Sequence, residues 1–196
     1  MATIEIPLFP LNTVLFPGGP LPLRVFEPRY LSMVSRCLQK DHGFGVVLIK
    51  SGAEVGPAEF HEIGTVAEIV DWYKGSDGLL GVSAQGRERF AIESCDRQAD
   101  GLYVGLVELR EREAPCALPD EYRYLSELLK HLLDDLGGHY DRIPKIYDDA
   151  SWVGYRLAEI IPLPVSTRQE LLEISDARRR LELLQPHLGE LRSRLN

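Results

Sequence analysis

The first thirty residues set the strongest limit on what this chain can build. Pro7, Pro10, Pro17, Pro20, Pro22 and Pro28 cut the apolar clusters around Ile4, Leu8, Val14 and Leu21 into pieces too short for a helix. Each proline removes a backbone donor and fixes φ at about −65°. The alternation that survives between them, as in Leu21-Pro22-Leu23-Arg24-Val25, suits short edge strands joined by rigid turns.

Strand signals continue to Leu109. Residues 46–49, 65–72, 79–83, 90–92 and 103–109 are rich in β-branched, leucine and aromatic side chains, with turn chemistry between them. Asp77-Gly78 is the clearest hairpin turn, because its glycine accepts the positive φ that a tight turn needs. Residues 65–73 and 79–85 are therefore expected to pair antiparallel. One helix interrupts the region. Glu27-Pro28-Arg29 starts it, Tyr30, Met33, Val34, Cys37 and Leu38 form its apolar stripe, and its end falls near Lys40 or Asp41. Pattern alone supports an antiparallel sheet that closes upon itself.

Beyond Leu118 the period changes. Tyr122, Leu125, Leu129, Leu132 and Leu136 recur at three- and four-residue intervals, with Pro119-Asp120-Glu121 as a start and Gly137-Gly138 as a stop. Asp148 or Asp149 can cap a second helix whose Val153, Leu157, Ile160 and Ile161 face inward, and Pro162 and Pro164 end it. Ser166 and Gln169 suggest a capping box for a short third helix. A last helix starts near Ser175 and carries a stripe of Ala177, Leu181, Leu184, Leu188, Leu191 and Leu195, with a kink or restart expected near Gln185 because Pro186 removes a hydrogen bond. Leu188, Leu191 and Leu195 either fold back on the bundle or pair with another chain; three leucines are a short seam for a coiled coil, which favours folding back. The whole reads as α+β: a β-rich domain over residues 1–113 and a helical bundle over 114–196, with 110–118 as the linker.

Composition narrows the function. An apolar content of 44% is ample for a core, and 30 acidic against 22 basic residues give a net charge of −8, with neither half of the chain basic. Such a surface offers no electrostatic footprint for phosphate backbones. Cys37, Cys95 and Cys116 are an odd number with no C-x-x-C pair, which points to reduced thiols in a reducing compartment. No basic, then apolar leader and no membrane-length apolar run is visible, so a soluble cytoplasmic protein is expected.

Several fragments approach chemical motifs and miss. His61-Glu62-Ile63-Gly64-Thr65 begins like a zinc helix, but Thr65 stands where the second histidine is needed and the segment enters a strand. Gly81-Val82-Ser83-Ala84-Gln85-Gly86 has its second glycine one residue late for a nucleophile elbow. Asp134-Asp135 and Asp148-Asp149 flank helix ends without the spaced oxygen ligands of a cation loop, and Gly43-Phe44-Gly45 precedes a strand instead of a helix. No cofactor and no metal site are expected.

One family resemblance runs along the chain. The opening Ile4-Glu5-Ile6-Pro7-Leu8-Phe9-Pro10-Leu11 and Phe26-Glu27-Pro28-Arg29-Tyr30, then Phe44-Gly45-Val46-Val47, Gly64-Thr65-Val66, Gly86-Arg87-Glu88-Arg89-Phe90, Leu163-Pro164, Gln169-Glu170-Leu171-Leu172 and Arg180-Leu181 stand in the order of the amino-terminal, substrate-binding domain of Lon proteases. The resemblance implies a PUA-like antiparallel β pseudo-barrel with one inserted helix, followed by a small α-helical bundle, and it implies binding without chemistry. No G-x-x-x-x-G-K-[ST] loop and no context for a serine–lysine dyad occur, so the ATPase and peptidase activities of Lon are not expected. The expected partners are unfolded or degron-bearing client proteins, handed to or withheld from a separate protease or chaperone. The candidate contact residues are Glu27, Arg29, Tyr30, Met33 and Arg36, a mixed charged and apolar set; the simpler alternative makes Phe26, Tyr30 and Met33 core. RNA binding is the rival function, since PUA-like folds include RNA-binding modules, and the acidic charge argues against it. No membrane partner is expected.

Overall fold

The computed structural model describes residues 3–40, 42–54 and 56–195, with the side chains at 139 and 190–195 outside the description. The chain separates into two compact units, Met1–Arg112 and Glu113–Asn196.

The first unit contains β1 (Thr3–Leu11), β2 (Pro20–Val25), α1 (Pro28–Lys40), β3 (Phe44–Gly52), β4 (Ala58–Phe60), β5 (Ile63–Lys74), β6 (Leu80–Arg97) and β7 (Tyr103–Leu109). Their order is β1-β7-β6-β5-β3-β4, and a further β1–β3 pairing closes a ring. The closing pair is parallel, Leu8–Leu11 against Gly45–Leu48, whereas the other pairings are antiparallel. Strand β1 changes partner along its length: Thr3–Leu8 lies on β7 and Leu8–Leu11 on β3. Each half is paired on one side, which leaves a flank where Pro7 and Pro10 cost no ladder bond.

Strand β6 corrects the expectation of two separate strands at 79–83 and 90–92. It runs unbroken for 18 residues, its first half between β5 and β2 and its second half beside β7. The polar stretch at its centre is not a turn, because Gly86 there admits the loop after β1. A Cβ on Gly86 would overlap the Phe16 carbonyl oxygen, and Gly86 exchanges backbone hydrogen bonds with Gly18 and Gly19 at 2.8 and 2.9 Å. The β5–β6 hairpin forms as expected, with Tyr73 opposite Gly81 and Gly78 at φ 81°. The barrel interior holds Ile6, Leu8, Val47, Phe90 and Val107, and a larger cluster joins α1 to the sheet through Tyr30, Met33, Val34, Phe44 and Val82. The Phe90 ring fills the space above Gly45 and Gly64, where a Cβ would overlap it. Buried Thr65 donates its hydroxyl to the Leu15 carbonyl at 2.6 Å.

The second unit opens with a 3-10 turn at Asp120–Tyr122 and holds α2 (Arg123–Leu136), α3 (Ala150–Ile160), α4 (Val165–Glu173) and α5 (Ala177–Leu195). Asp149 caps α3 by accepting from the Trp152 amide at 2.7 Å, and its second oxygen accepts from the Cys116 amide at 3.1 Å. The end of the expected linker is thereby fixed: Leu118 donates to Asp148 O and Ala150 to Cys116 O, both at 2.7 Å. The Ser166–Gln169 capping box does not form. Helix α4 begins at Val165 after Pro164, with no side-chain cap, so Ser166 already lies inside the first turn, and Gln169 is buried and donates to Glu173 at 2.9 Å. Asp176 caps α5 by accepting from the Arg178 and Arg179 amides at 2.8 and 3.1 Å.

Helix α5 continues through Pro186 with no restart. Leu181, Leu184 and Leu188 are buried on both sides of the proline, while the Leu191 and Leu195 side chains lie outside the described residues. A buried ion pair organises the interior. Arg180, with 0% of its surface exposed, donates to Glu113 and to the Leu171 carbonyl at 3.0 Å, and stacks 3.8 Å from the centre of the Tyr155 ring. Glu113 also accepts from Ser151 at 2.6 Å and Tyr155 at 2.5 Å. Burial alone would raise the Glu113 carboxyl; the Arg180 guanidinium and the two hydroxyls outweigh it and hold the group below its ordinary value.

Candidate protein-recognition surface

Helix α1 does not gather Glu27, Arg29, Tyr30, Met33 and Arg36 on one face. Arg29, Tyr30 and Met33 belong to its buried side, and Met33 has 0% exposure. Arg29 acts as an internal tie: Nη1 donates to Gly101 O at 2.9 Å, Nη2 donates to Glu54 O at 3.0 Å, and the same Nη2 meets Glu27 at 2.8 Å. Its guanidinium lies 4.6 Å from the centre of the Tyr30 ring, which stacks on Phe9 with centroids 3.9 Å apart. Burial pushes the Tyr30 hydroxyl up to about 12 against the pull of Arg29. Gly101 sits at φ 87°, a conformation that lets its carbonyl meet Arg29 and that a side chain would strain. Glu27 is half-buried. Arg36 is exposed and lines a shallow notch of about 160 Å³ with Glu5, Lys40, His42 and Gln98.

Phe26 reverses its expected place in the core and is 59% exposed. It directly follows β2, whose last residue, Val25, pairs with Leu80 at the start of β6. The same end of the sheet carries Val70, Trp72 and Tyr73 on β5, exposed by 54%, 59% and 50%. Local contacts tie this wing together. Arg24 on β2 is ion-paired with Asp77 in the hairpin turn at 2.8 Å, Gly75 donates to Leu79 O at 2.8 Å, and the Tyr73 ring packs on Gly81, where a Cβ would overlap it. Between the wing and the carboxy-terminal end of α1 runs a groove of about 280 Å³ lined by Leu38, His42, Val66, Ile69 and Arg87. Leu31 and Leu38 on α1 are also exposed, one heptad apart. The wing was missed in the sequence, although the adjacent pair Trp72-Tyr73 was a usable signal: neighbours on a strand point to opposite faces, so one aromatic ring is directed away from any single core.

Ser83 lies within β6 opposite Asp71 and Pro22, and His61 directly follows β4 in the two-residue connection to β5. Among the described residues no three His, Cys, Asp or Glu side chains are grouped to hold a metal, and no helix is long and apolar enough to cross a membrane. Cys37 is buried, and desolvation pushes its thiol up to about 11, away from nucleophilic reactivity.

The family model of the ATP-dependent protease La (LON) substrate-binding domain matches residues 5–190. The crystal structure of a Lon N-terminal domain protein from Xanthomonas campestris aligns with 93% of this chain and 98% of its own, at a TM-score of 0.79 and 37% identity. Cereblon of Xenopus tropicalis is 36% identical over 134 residues, which are 66% of this chain and 29% of cereblon. Lon protease 2 of Myxococcus xanthus is 25% identical over 187 residues, 91% of this chain and 23% of that protease. The chain thus spans less than a third of the length of these two relatives. With the family pattern matched through both the barrel and the helical unit, this chain belongs to the Lon substrate-binding domain family.

Proposed function

We propose that the chain is a non-enzymatic recognition module that binds exposed apolar or degron-like segments of cytoplasmic client proteins, for transfer to or protection from a separate protease or chaperone. The observation that carries this reading is the exposed apolar wing: Phe26, Val70, Trp72 and Tyr73 project from a strand scaffold. Isolated surface apolar residues are ordinary, but four large ones at one end of a sheet, two of them adjacent aromatics, are what a protein interface uses as anchors. In this reading Arg29, Tyr30 and Met33 position α1, Glu27 fixes Arg29, and Arg36 lies in its own notch with Glu5 and Gln98. The net charge of −8 speaks against an RNA ligand.

Binding of a reduced and alkylated, permanently unfolded model protein tests the reading. The wild-type chain is expected to bind it, and Trp72→Ala to weaken binding about tenfold with an unchanged melting temperature. No binding, or salt-sensitive binding of total RNA in its place, overturns the proposal.

A further inference from the structure

We propose that the outer edge of β5, centred on Trp72 and Lys74, receives an extended client segment as an added antiparallel or parallel strand. This rests on the recognition reading above and names its mode. Hairpin register fixes which backbone groups are available. Gly75 donates to Leu79 O, so the hydrogen-bonded pairs alternate through Tyr73–Gly81 and Asp71–Ser83. The N–H and C=O groups of Trp72 and Lys74 therefore point away from β6. Beyond Ala67 the described residues of β5 have no partner strand on that side, because β3 starts at Phe44 opposite Ala67 and the chain before it belongs to α1. The outward Trp72 N–H is occupied by its neighbour's side chain, Asp71 Oδ1 at 2.8 Å, a local contact that an incoming carbonyl can replace.

The other flank of the same wing shows the contrast. By the same alternation Leu21, Leu23 and Val25 of β2 bond to β6, and the outward positions are Pro20, Pro22 and Arg24. Two of these three lack an N–H, so this edge is closed to strand addition. The short strand β4 is covered differently: the Tyr103 hydroxyl accepts from Ala58 N at 3.0 Å and donates to Ala58 O at 3.2 Å. Edges without use are guarded, while the β5 edge keeps its amides and carries Val70, Trp72 and Tyr73.

The occupant is a segment of another polypeptide with alternating apolar and basic residues. Backbone groups supply affinity in this mode, and alternate side chains supply choice. Charge complementarity selects the basic partner: Asp71 lies at this edge, while Glu68 farther along β5 is already ion-paired with Arg87, and the chain's net charge of −8 disfavours a second copy.

The test uses the full chain and a short synthetic peptide of alternating valine and lysine. Lys74→Pro, which removes an N–H outside the β6 ladder, is expected to weaken binding at least about tenfold with an unchanged melting temperature, and Lys74→Ala to bind as wild type. The second arm leaves the protein intact and methylates alternate backbone nitrogens of the peptide: one register is expected to lose binding, the other to keep it. If the peptide binds, Trp72→Ala weakens it, and both methylated registers bind like the parent, strand addition is overturned and recognition by side chains stands. Failure of this peptide to bind while the unfolded model protein binds also overturns strand addition alone; failure of both removes the recognition reading with it.

Discussion

Arg29, Tyr30 and Met33 on α1 and Val70, Trp72, Tyr73 and Lys74 on β5 combine the same chemistry, a cation beside aromatic and aliphatic groups. In α1 the two Nη atoms of Arg29 are used inside the unit, meeting the Gly101 and Glu54 carbonyls and the Glu27 carboxylate, and Tyr30 and Met33 are buried. On β5 the apolar side chains are exposed, and the outward Trp72 N–H is held only by the neighbouring Asp71 carboxylate. The difference shows that residue type alone does not decide whether such a cluster is buried or exposed. What separates the two is burial: α1 turns its cluster onto the sheet, and β5 leaves its cluster exposed.

Substitutions can break this contrast, and the largest expected effect comes from carrying the α1 pattern to its extreme in the helical unit. Arg180→Ala strands the buried Glu113 carboxylate and is expected to cost about 4 kcal/mol in denaturant unfolding. Its pH signature has a defined sign. The Glu113 carboxyl lies below its ordinary value of 4.5 in the folded chain, so the pair's contribution is full above about pH 5 and is lost as pH falls through the lowered value. The wild-type chain should lose stability more steeply on acidification than Arg180→Ala. Next, Met33→Ala opens a cavity in the main cluster and should cost about 3 kcal/mol, with client affinity per folded molecule unchanged. Arg29→Ala leaves two carbonyls and Glu27 without their donor and should cost about 2 kcal/mol, again without changing affinity. Reduced affinity in the folded fraction of either variant would return α1 to the contact surface. The smallest expected effect on stability belongs to Trp72→Ala, within about 0.5 kcal/mol, and a large drop in melting temperature there would move Trp72 into the structural class.

Local signals were the legible ones. Asp77-Gly78 announced its hairpin because a positive φ is a property of the turn itself, and the first helix announced its start at Pro28 because proline's fixed negative φ suits a first helical turn. The ordered family resemblance carried the remainder of the fold. Features set by distant neighbours were not legible. Gly86 looks like a strand break in sequence, and its use is set by the Phe16 carbonyl, which sequence spacing does not place beside it. Ser166 and Gln169 have cap spacing, but the helix begins one residue earlier and turns Gln169 inward. The proposed site shows the same limit: Arg29, Tyr30 and Met33 have the composition of a contact surface, and burial of a helix face depends on the sheet it meets. Phe26, placed with the core by its apolar character, lies just beyond the last ladder pair of β2 and is exposed there.

The pairing of Thr3 with Glu108 has a consequence during synthesis. Strand β1 leaves the ribosome before the rest of the barrel, and its β7 partner follows about a hundred residues later, roughly 5–20 s at ordinary elongation rates. Through that interval the Thr3–Leu8 half of β1 lacks its partner, and an unpaired apolar strand is the kind of segment that joins neighbouring nascent chains into aggregates. Pro7 and Pro10 interrupt its donors and Glu5 adds charge, so β1 is a poor template for a stranger. The prolines that rule out a helix at the start of the sequence thus also guard the unfinished barrel until its closing strand arrives.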